Sequence, residues 1–312
     1  MTKLAYVFPG QGSQAVGMLA DLSEGHDVVA ATFAEASEAL GYDLWQLVQN
    51  GPEEQLNQTE FTQPALLSAS IAVWRVCQAA GMTAPDVVAG HSLGEYSALV
   101  AAESLAFADA VRLVQQRGQF MQTAVPVGQG GMAAVLGLDD EKVKEICQAA
   151  SSETEWVQAA NFNAPGQVVI AGSNGALETA IAELKAAGAK RAMPLSVSAP
   201  FHSELMKPAA EKMAETLEGV QINTPAINLI QNVDASYHTD PVNIRENLVT
   251  QMAGAVLWTG TMMKMAEDGV SQVVECGPGK VLSGLNKRID KRLASLNVNS
   301  VESLGKTLEA LS

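Results

Sequence analysis

The residues of this chain that could do chemistry centre on Gly90-His91-Ser92-Leu93-Gly94, a serine with glycine two positions away on either side. That spacing is the pattern of a nucleophile elbow. The serine sits on a tight strand-to-helix turn, the glycines remove clashes, and the helix N-terminus aims free N–H groups at a developing oxyanion. The same five residues also suit a glycine-rich turn whose serine only caps the following helix. A serine nucleophile needs a base, and the chain has 4 histidines. His91 precedes Ser92 on the turn, so its side chain should leave in another direction. His26 and His238 lie in polar stretches that read as surface and loop. His202, in Ala199-Pro200-Phe201-His202-Ser203, falls where two segments of different texture meet, and such junctions form clefts. No acid stands out as a third partner, so a backbone carbonyl could fix the imidazole tautomer instead.

Arg117 is the other candidate. On the helix predicted over 106–123, Arg112, Gln115, Gln116, Gln119 and Gln122 form a polar face. Ala110, Leu113, Val114 and Met121 form an apolar one, and Arg117 falls on the apolar stripe. A buried guanidinium without a partner costs several kcal/mol. Its partner is either one of the 34 acids or a carboxylate that arrives with a substrate and is gripped by the bidentate fork.

These residues need a scaffold, and the patterning predicts one. Leu4–Phe8 and Asp86–Gly90 read as buried strands, with helical spacing between them and helices over 94–102 and 104–123, the order of an α/β fold with a parallel sheet. From residue 132 the texture changes. Strand Met132–Leu138, a helix from Asp139, strands Trp156–Ala160 and Gln167–Ala171, a helix through Leu177 and Leu184, and strand Lys190–Val197 make βαββαβ, the ferredoxin-like order. Glycine and proline at 126–131 and 198–200 mark its edges. The first texture then returns: helix Lys207–Leu217, strand Ala226–Val233, a helix running to Gln251, a helix ending near Gly269, strand Gln272–Glu275 and a last helix opened by Gly277-Pro278-Gly279. The expected division is 1–125 and 199–312 for a large α/β part and 126–198 for the insert.

Composition bounds the rest. Of 312 residues, 47% are hydrophobic and 17% charged, which excludes a disordered chain. Lys and Arg number 19 against 34 Asp and Glu, a net charge of −15, so no fold-wide basic face for nucleic acid or anionic lipid is expected. The 3 cysteines are scattered, without zinc spacing, and fit a reducing compartment. Neither a signal peptide nor an apolar run near the ~20 residues of a membrane span is read, so a cytoplasmic protein is expected. With no coiled-coil heptads, a monomer is expected.

Taken together, Phe8-Pro-Gly-Gln-Gly-Ser-Gln14, Gly90-His-Ser-Leu-Gly-Glu-Tyr96, Arg117, Phe201-His202 and Glu275-Cys-Gly-Pro-Gly-Lys280 resemble the malonyl-CoA:acyl carrier protein transacylases, stand-alone acyltransferases of bacterial fatty-acid synthesis. The resemblance runs from the first strand to the last helix. It implies an α/β-hydrolase-like large subdomain with a ferredoxin-like insert, and malonyl transfer from coenzyme A to an acyl carrier protein with no cofactor or metal. By matching position it implies Ser92 as nucleophile, His202 as base and acid, and the Gln251 backbone carbonyl as the histidine's orienter. It further implies the N–H groups of Gln11 and Leu93 as oxyanion hole and Arg117 as the malonyl carboxylate's partner. Gln63 matches a pocket glutamine, and Phe201 a bulky residue that crowds an α-methyl group. Carrier proteins of this kind are acidic, so a local basic patch is expected, either at Lys190-Arg191 or at Lys280, Lys287-Arg288 and Lys291-Arg292. The alternatives are an acyltransferase of a polyketide or polyunsaturated-lipid pathway, a serine thioesterase or other hydrolase, and a non-catalytic carrier-binding module.

Overall fold

A computed structural model describes residues 3–126, 128–197 and 199–311. Val127 and Ser198, which fall in the two expected hinges, lie outside the described residues, as do Met1, Thr2 and Ser312. The strands are β1 (Lys3–Phe8), β2 (Val87–Gly90), β3 (Gly130–Leu136), β4 (Val157–Ala164), β5 (Gln167–Ser173), β6 (Arg191–Pro194), β7 (Asn228–Gln231), β8 (Ser236–Tyr237), β9 (Val270–Cys276) and β10 (Ala294–Val298).

They form two sheets. The larger has the order β10-β9-β1-β2-β7-β8, parallel except for the terminal β7–β8 pair. Helices cover its strands, which is why β1 from Leu4 and all of β2 are buried apolar runs rather than alternating ones. The smaller sheet has the order β4-β5-β3-β6, antiparallel throughout, with helices Asp140–Ala150 and Asn174–Ala186 packed on it. This is the βαββαβ arrangement expected for the insert.

The register of the large sheet places the site. Phe8 pairs with Gly90, and Ala89 with Ile230, so β1, β2 and β7 end side by side. In open parallel sheets the crevice beyond the carboxyl ends of strands is where ligands bind. Here the loop after β1 carries Gln11, the turn after β2 carries Ser92, and the residue after β7 is Asn232.

Three details differ from the sequence reading. The strand expected over 190–197 is only Arg191–Pro194: its ladder with β3 runs from the Leu136–Arg191 pair to the Ala133–Pro194 pair, and one further bond, Leu195 N–H to the Met132 carbonyl at 2.9 Å, closes it. Leu195 and Val197 instead stand half exposed on irregular chain. The stretch Asn163–Gly166, read as a turn, contributes its first two residues to β4. Helix Val281–Ile289 is not the last element: edge strand β10 and helix Val301–Leu311 follow it. Only one residue of β10 is buried, so no continuous apolar run marks that strand in the sequence. No helix among the described residues is long and apolar enough to cross a membrane.

Candidate active site

Ser92 lies between β2 and helix Gly94–Ala101 with φ of 52°. The left-handed backbone holds its side chain up from the turn, a strain kept where the surroundings over-determine the conformation. Both glycines are required by contact. A Cβ on Gly90 would lie 1.9 Å from the Gly94 carbonyl, and one on Gly94 would lie 2.1 Å from the Phe8 carbonyl oxygen. The serine therefore sits on a true elbow rather than on a capping turn, and no side-chain cap closes that helix.

His202 arrives from the chain that leaves the insert, also at positive φ (58°), and is buried. Its Nε2 lies 2.7 Å from Ser92 Oγ. Its Nδ1 lies 2.8 Å from the backbone carbonyl of Gln251, near the end of helix Pro241–Ala253. With Nδ1–H donated to that carbonyl, Nε2 is left as the acceptor for the serine proton. Burial, reinforced by the nearby Arg117 charge, pushes the His202 pKa down to about 3, so the imidazole is neutral and ready to accept.

Arg117 is fully buried beneath the serine and, among the described residues, forms no ion pair. Its Nη1 donates to Gln63 Oε1 at 2.7 Å, and its Nη2 to Gln251 Oε1 at 2.9 Å and to Ser92 Oγ at 3.1 Å. Its Nε has no partner. The guanidinium is thus fixed by neutral amides and has no carboxylate fork of its own, which disfavours the structural ion pair left open by the sequence. Gln63 is buried on helix Thr59–Ala79.

The Ser92 N–H is spent on Asn232 Oδ1 at 2.7 Å, so it cannot face an oxyanion. Among the described residues, the backbone N–H groups of Gln11 and Leu93 have no hydrogen-bond partner. The Gln11 side chain is tied down through Thr59, whose hydroxyl donates to its Oε1 at 2.9 Å. Above the serine opens a cleft of about 580 Å³ between the two sheets. Gln11, Ser92, Phe201 and His202 line it from the large part, and Met132, Asn163 and Val169 from the insert. His91 does leave the elbow differently from Ser92: its Nε2 meets Asn163 Oδ1 at 2.7 Å, and its ring packs against Trp258. Burial keeps its pKa low. The residues that the resemblance implied for the reaction, Gln11, Gln63, Ser92, Leu93, Arg117, Phe201, His202 and Gln251, lie in one neighbourhood.

Two members of it were missed. Asn232 clamps the elbow, accepting from Ser92 N–H and donating through Nδ2 to the Gly90 carbonyl at 2.7 Å. Its place just past a strand of the parallel sheet was the available signal. Glu95, buried one turn after the serine, accepts from Asn232 N–H at 2.7 Å and Gln231 Nε2 at 3.0 Å. An acid on an otherwise apolar helix start was as conspicuous as Arg117. The Glu275–Lys280 motif proves to be structural: the buried Glu275 carboxylate accepts from Leu282 N, Ser283 N and Ser283 Oγ, closing the start of helix Val281–Ile289.

Comparison with known proteins agrees. Residues 5–308 match the acyl transferase domain family. A malonyl CoA-acyl carrier protein transacylase of Haemophilus influenzae is 56% identical over 312 residues, covering 100% of both chains. The solved acyl carrier protein S-malonyltransferase of Vibrio cholerae superposes with a TM-score of 0.96 at 56% identity, over 98% of this chain and 100% of that one. A malonyl-transacylase solved in complex with its type II PKS acyl-carrier protein superposes with a TM-score of 0.97 at 53% identity, over 99% and 100% of the two chains. With an elbow serine, a carbonyl-oriented histidine and a buried arginine on one scaffold, and relatives matched end to end, this chain belongs to the acyl transferase family, among the malonyl CoA-acyl carrier protein transacylases.

Proposed function

We propose that the protein moves the malonyl group of malonyl-CoA to the phosphopantetheine thiol of an acyl carrier protein through a malonyl-Ser92 intermediate. The observation that carries the reading is the Ser92 hydroxyl held between a neutral base at 2.7 Å and a buried cation at 3.1 Å. A serine hydrolase of neutral esters needs the first of these and has no use for the second.

In the first half-reaction His202 Nε2 takes the Ser92 proton as Oγ attacks the thioester carbonyl. The N–H groups of Gln11 and Leu93 receive the oxyanion, an interaction typically worth ~3–4 kcal/mol in the transition state. The C–S bond breaks, and His202 returns the proton to the departing CoA thiolate. In the second half the carrier's thiol gives its proton to His202 as its sulfur attacks the acyl-serine carbonyl, the ester C–Oγ bond breaks, and the proton returns to Ser92 Oγ. General base and acid action by one histidine contributes on the order of 10²–10⁴-fold. Each proton has a place in these steps without a metal or redox group. The Gln251 carbonyl keeps Nδ1 protonated throughout.

Arg117 takes the malonyl carboxylate in this reading, and Gln63 holds it ready. The carboxylate also offsets the cation that depresses His202, so the imidazole becomes the stronger base once malonyl is bound. Phe201, at the cleft wall, restricts branching next to the acyl carbonyl. An acyl carrier protein partner is supported by the relative solved with one. A monomeric, cytoplasmic enzyme, with the chain divided into 1–125, 126–198 and 199–312, belongs to the same proposal. The confinement of the second sheet to strands between Gly130 and Pro194 supports that division.

The test is intact-protein mass spectrometry after brief mixing with malonyl-CoA or acetyl-CoA, on the wild type and Ser92→Ala. The expected result is a malonyl adduct on the wild type alone, discharged by acyl carrier protein with the acyl group recovered on the carrier. An adduct lost to buffer at the same rate makes the protein a hydrolase, and no adduct overturns the reading.

A further inference from the structure

Two opposite charges are buried under the elbow without touching. Glu95 and Arg117 both have no exposed surface. The carboxylate accepts from Gln231 Nε2 on β7 and from the N–H of Asn232, the residue after it. The guanidinium donates to Gln63, Gln251 and Ser92 and lies 5.4 Å from the centre of the Tyr96 ring. The Gln251 side chain acts on both charges. Its Oε1 accepts from Arg117, its Nε2 donates to the Ser92 carbonyl at 3.2 Å, and the same amide acts on the Glu95 carboxylate to favour its charged form.

We propose that Glu95 is the internal counter-charge of Arg117, coupled to it through the Gln251 amide, and that this separation keeps the guanidinium buried yet uncommitted to any carboxylate until substrate arrives. The proposal rests on the reading of Arg117 as the malonyl carboxylate's partner. A cation buried alone costs several kcal/mol, and so does an anion. A direct Arg–Glu fork would offset both but would satisfy the donors a substrate must reach. Holding the anion one amide away preserves the long-range attraction, which is strong where water is excluded, and leaves the fork on neutral acceptors that a carboxylate can displace. Glu95 is accordingly a positioning residue rather than a catalytic one.

The charged and titratable groups facing Glu95 are few. Helix Phe107–Thr123 presents Arg117, and its own helix presents Tyr96, whose pKa burial raises to about 12. Strand β7 and helix Pro241–Ala253 present uncharged amides, and His202 lies beyond Arg117. Burial raises the Glu95 pKa from 4.5 to about 7, while Arg117 and the amides hold it down. Because the folded value lies above the unfolded one, Glu95 favours folding at low pH, and that contribution is lost as pH rises through the folded pKa. Removing Arg117 pushes the folded pKa higher and extends the loss above neutrality.

The experiment is thermal unfolding of the full chain between pH 6 and 9 for the wild type, Arg117→Gln, Glu95→Gln and the double variant, with malonyl and acetyl loading of Ser92 measured in parallel. Arg117→Gln is expected to lose at least ~2 °C more than the wild type across that range, and the double variant is expected to lose this excess. Parallel curves for wild type and Arg117→Gln overturn the proposal, as does an excess that persists in the double variant. Should Glu95→Gln fail to fold while the double variant folds, the coupling stands. Should both fail, the Arg117→Gln curve alone decides. Equal loss of malonyl and acetyl loading in Arg117→Gln would instead overturn the role of Arg117 in binding, without touching the unfolding result.

Discussion

Arg117→Ala is the sharpest perturbation of the proposed reaction, and its magnitude can be worked from the contacts. Two guanidinium donors facing a carboxylate form charge-assisted hydrogen bonds worth about 1.5–3 kcal/mol each. Coulomb attraction at ~4 Å with an effective dielectric near 20 is about 4 kcal/mol, and the two figures describe largely the same interaction. A loss of ~3–4 kcal/mol corresponds to a 10²–10³-fold drop in kcat/KM for malonyl-CoA. The truncation also removes a donor from Ser92 Oγ, from Gln63 and from the Gln251 side chain. None of these fixes the His202 geometry, which depends on the Gln251 backbone carbonyl. Acetyl-CoA presents no carboxylate, so acetyl loading should change by less than ~10-fold and serves as the internal control. The assay is single-turnover acylation of Ser92 by each thioester, read by mass or by thiol release. Equal losses for the two acyl groups would refute the reasoning, because they would make Arg117 a support for the nucleophile and not a partner of the substrate.

The same variant bears on pH. Arg117 helps hold the His202 pKa down near 3, so its removal should move the acid limb of acetyl-transfer kcat/KM upward in pH, and an unmoved limb would contradict the assigned cause. Asn232→Ala leaves the Ser92 N–H and the Gly90 carbonyl without their partner. At about 1–3 kcal/mol per orphaned group, it should lower Tm and reduce kcat more than it raises KM, and an unchanged kcat would sink this account of the elbow. Gly94→Ala, whose Cβ would strike the Phe8 carbonyl, should give little folded protein, whereas Gly305→Ala, with nothing within 4 Å, should leave Tm unchanged or higher. Reversing the exposed Lys287 and Arg288 should raise KM for the carrier protein and spare that for malonyl-CoA, since Arg292 nearby is already paired with Asp290. An unchanged carrier KM would point instead to Lys190 and Arg191.

What could be read from the chain was whatever rests on local pattern. The apolar run ending at Gly90, the glycines around Ser92 and the change of period near residue 132 each follow from backbone sterics or from a helix or strand burying one face. They fixed the elbow, the parallel sheet and the insert. Arg117 was legible for a related reason, since a charge on an apolar stripe has to be answered by something. Local pattern failed where burial is slight or the partner is remote. Strand β10 has one buried residue and left no run to read. Asn232 offered only its place past a strand and Glu95 only its charge on an apolar helix start, while what they do lies in hydrogen bonds spanning more than 130 positions. Local pattern left His202 one of four histidines; the family resemblance singled it out together with the Gln251 carbonyl, and the tertiary structure supplies the contacts. Only the packing of the insert's exit against helix Pro241–Ala253 brings His202 within 2.7 Å of Ser92 and 2.8 Å of the Gln251 carbonyl. Sequence supplies the reactive groups; their distances, their burial and hence their protonation states come from the way the two sheets close on one another.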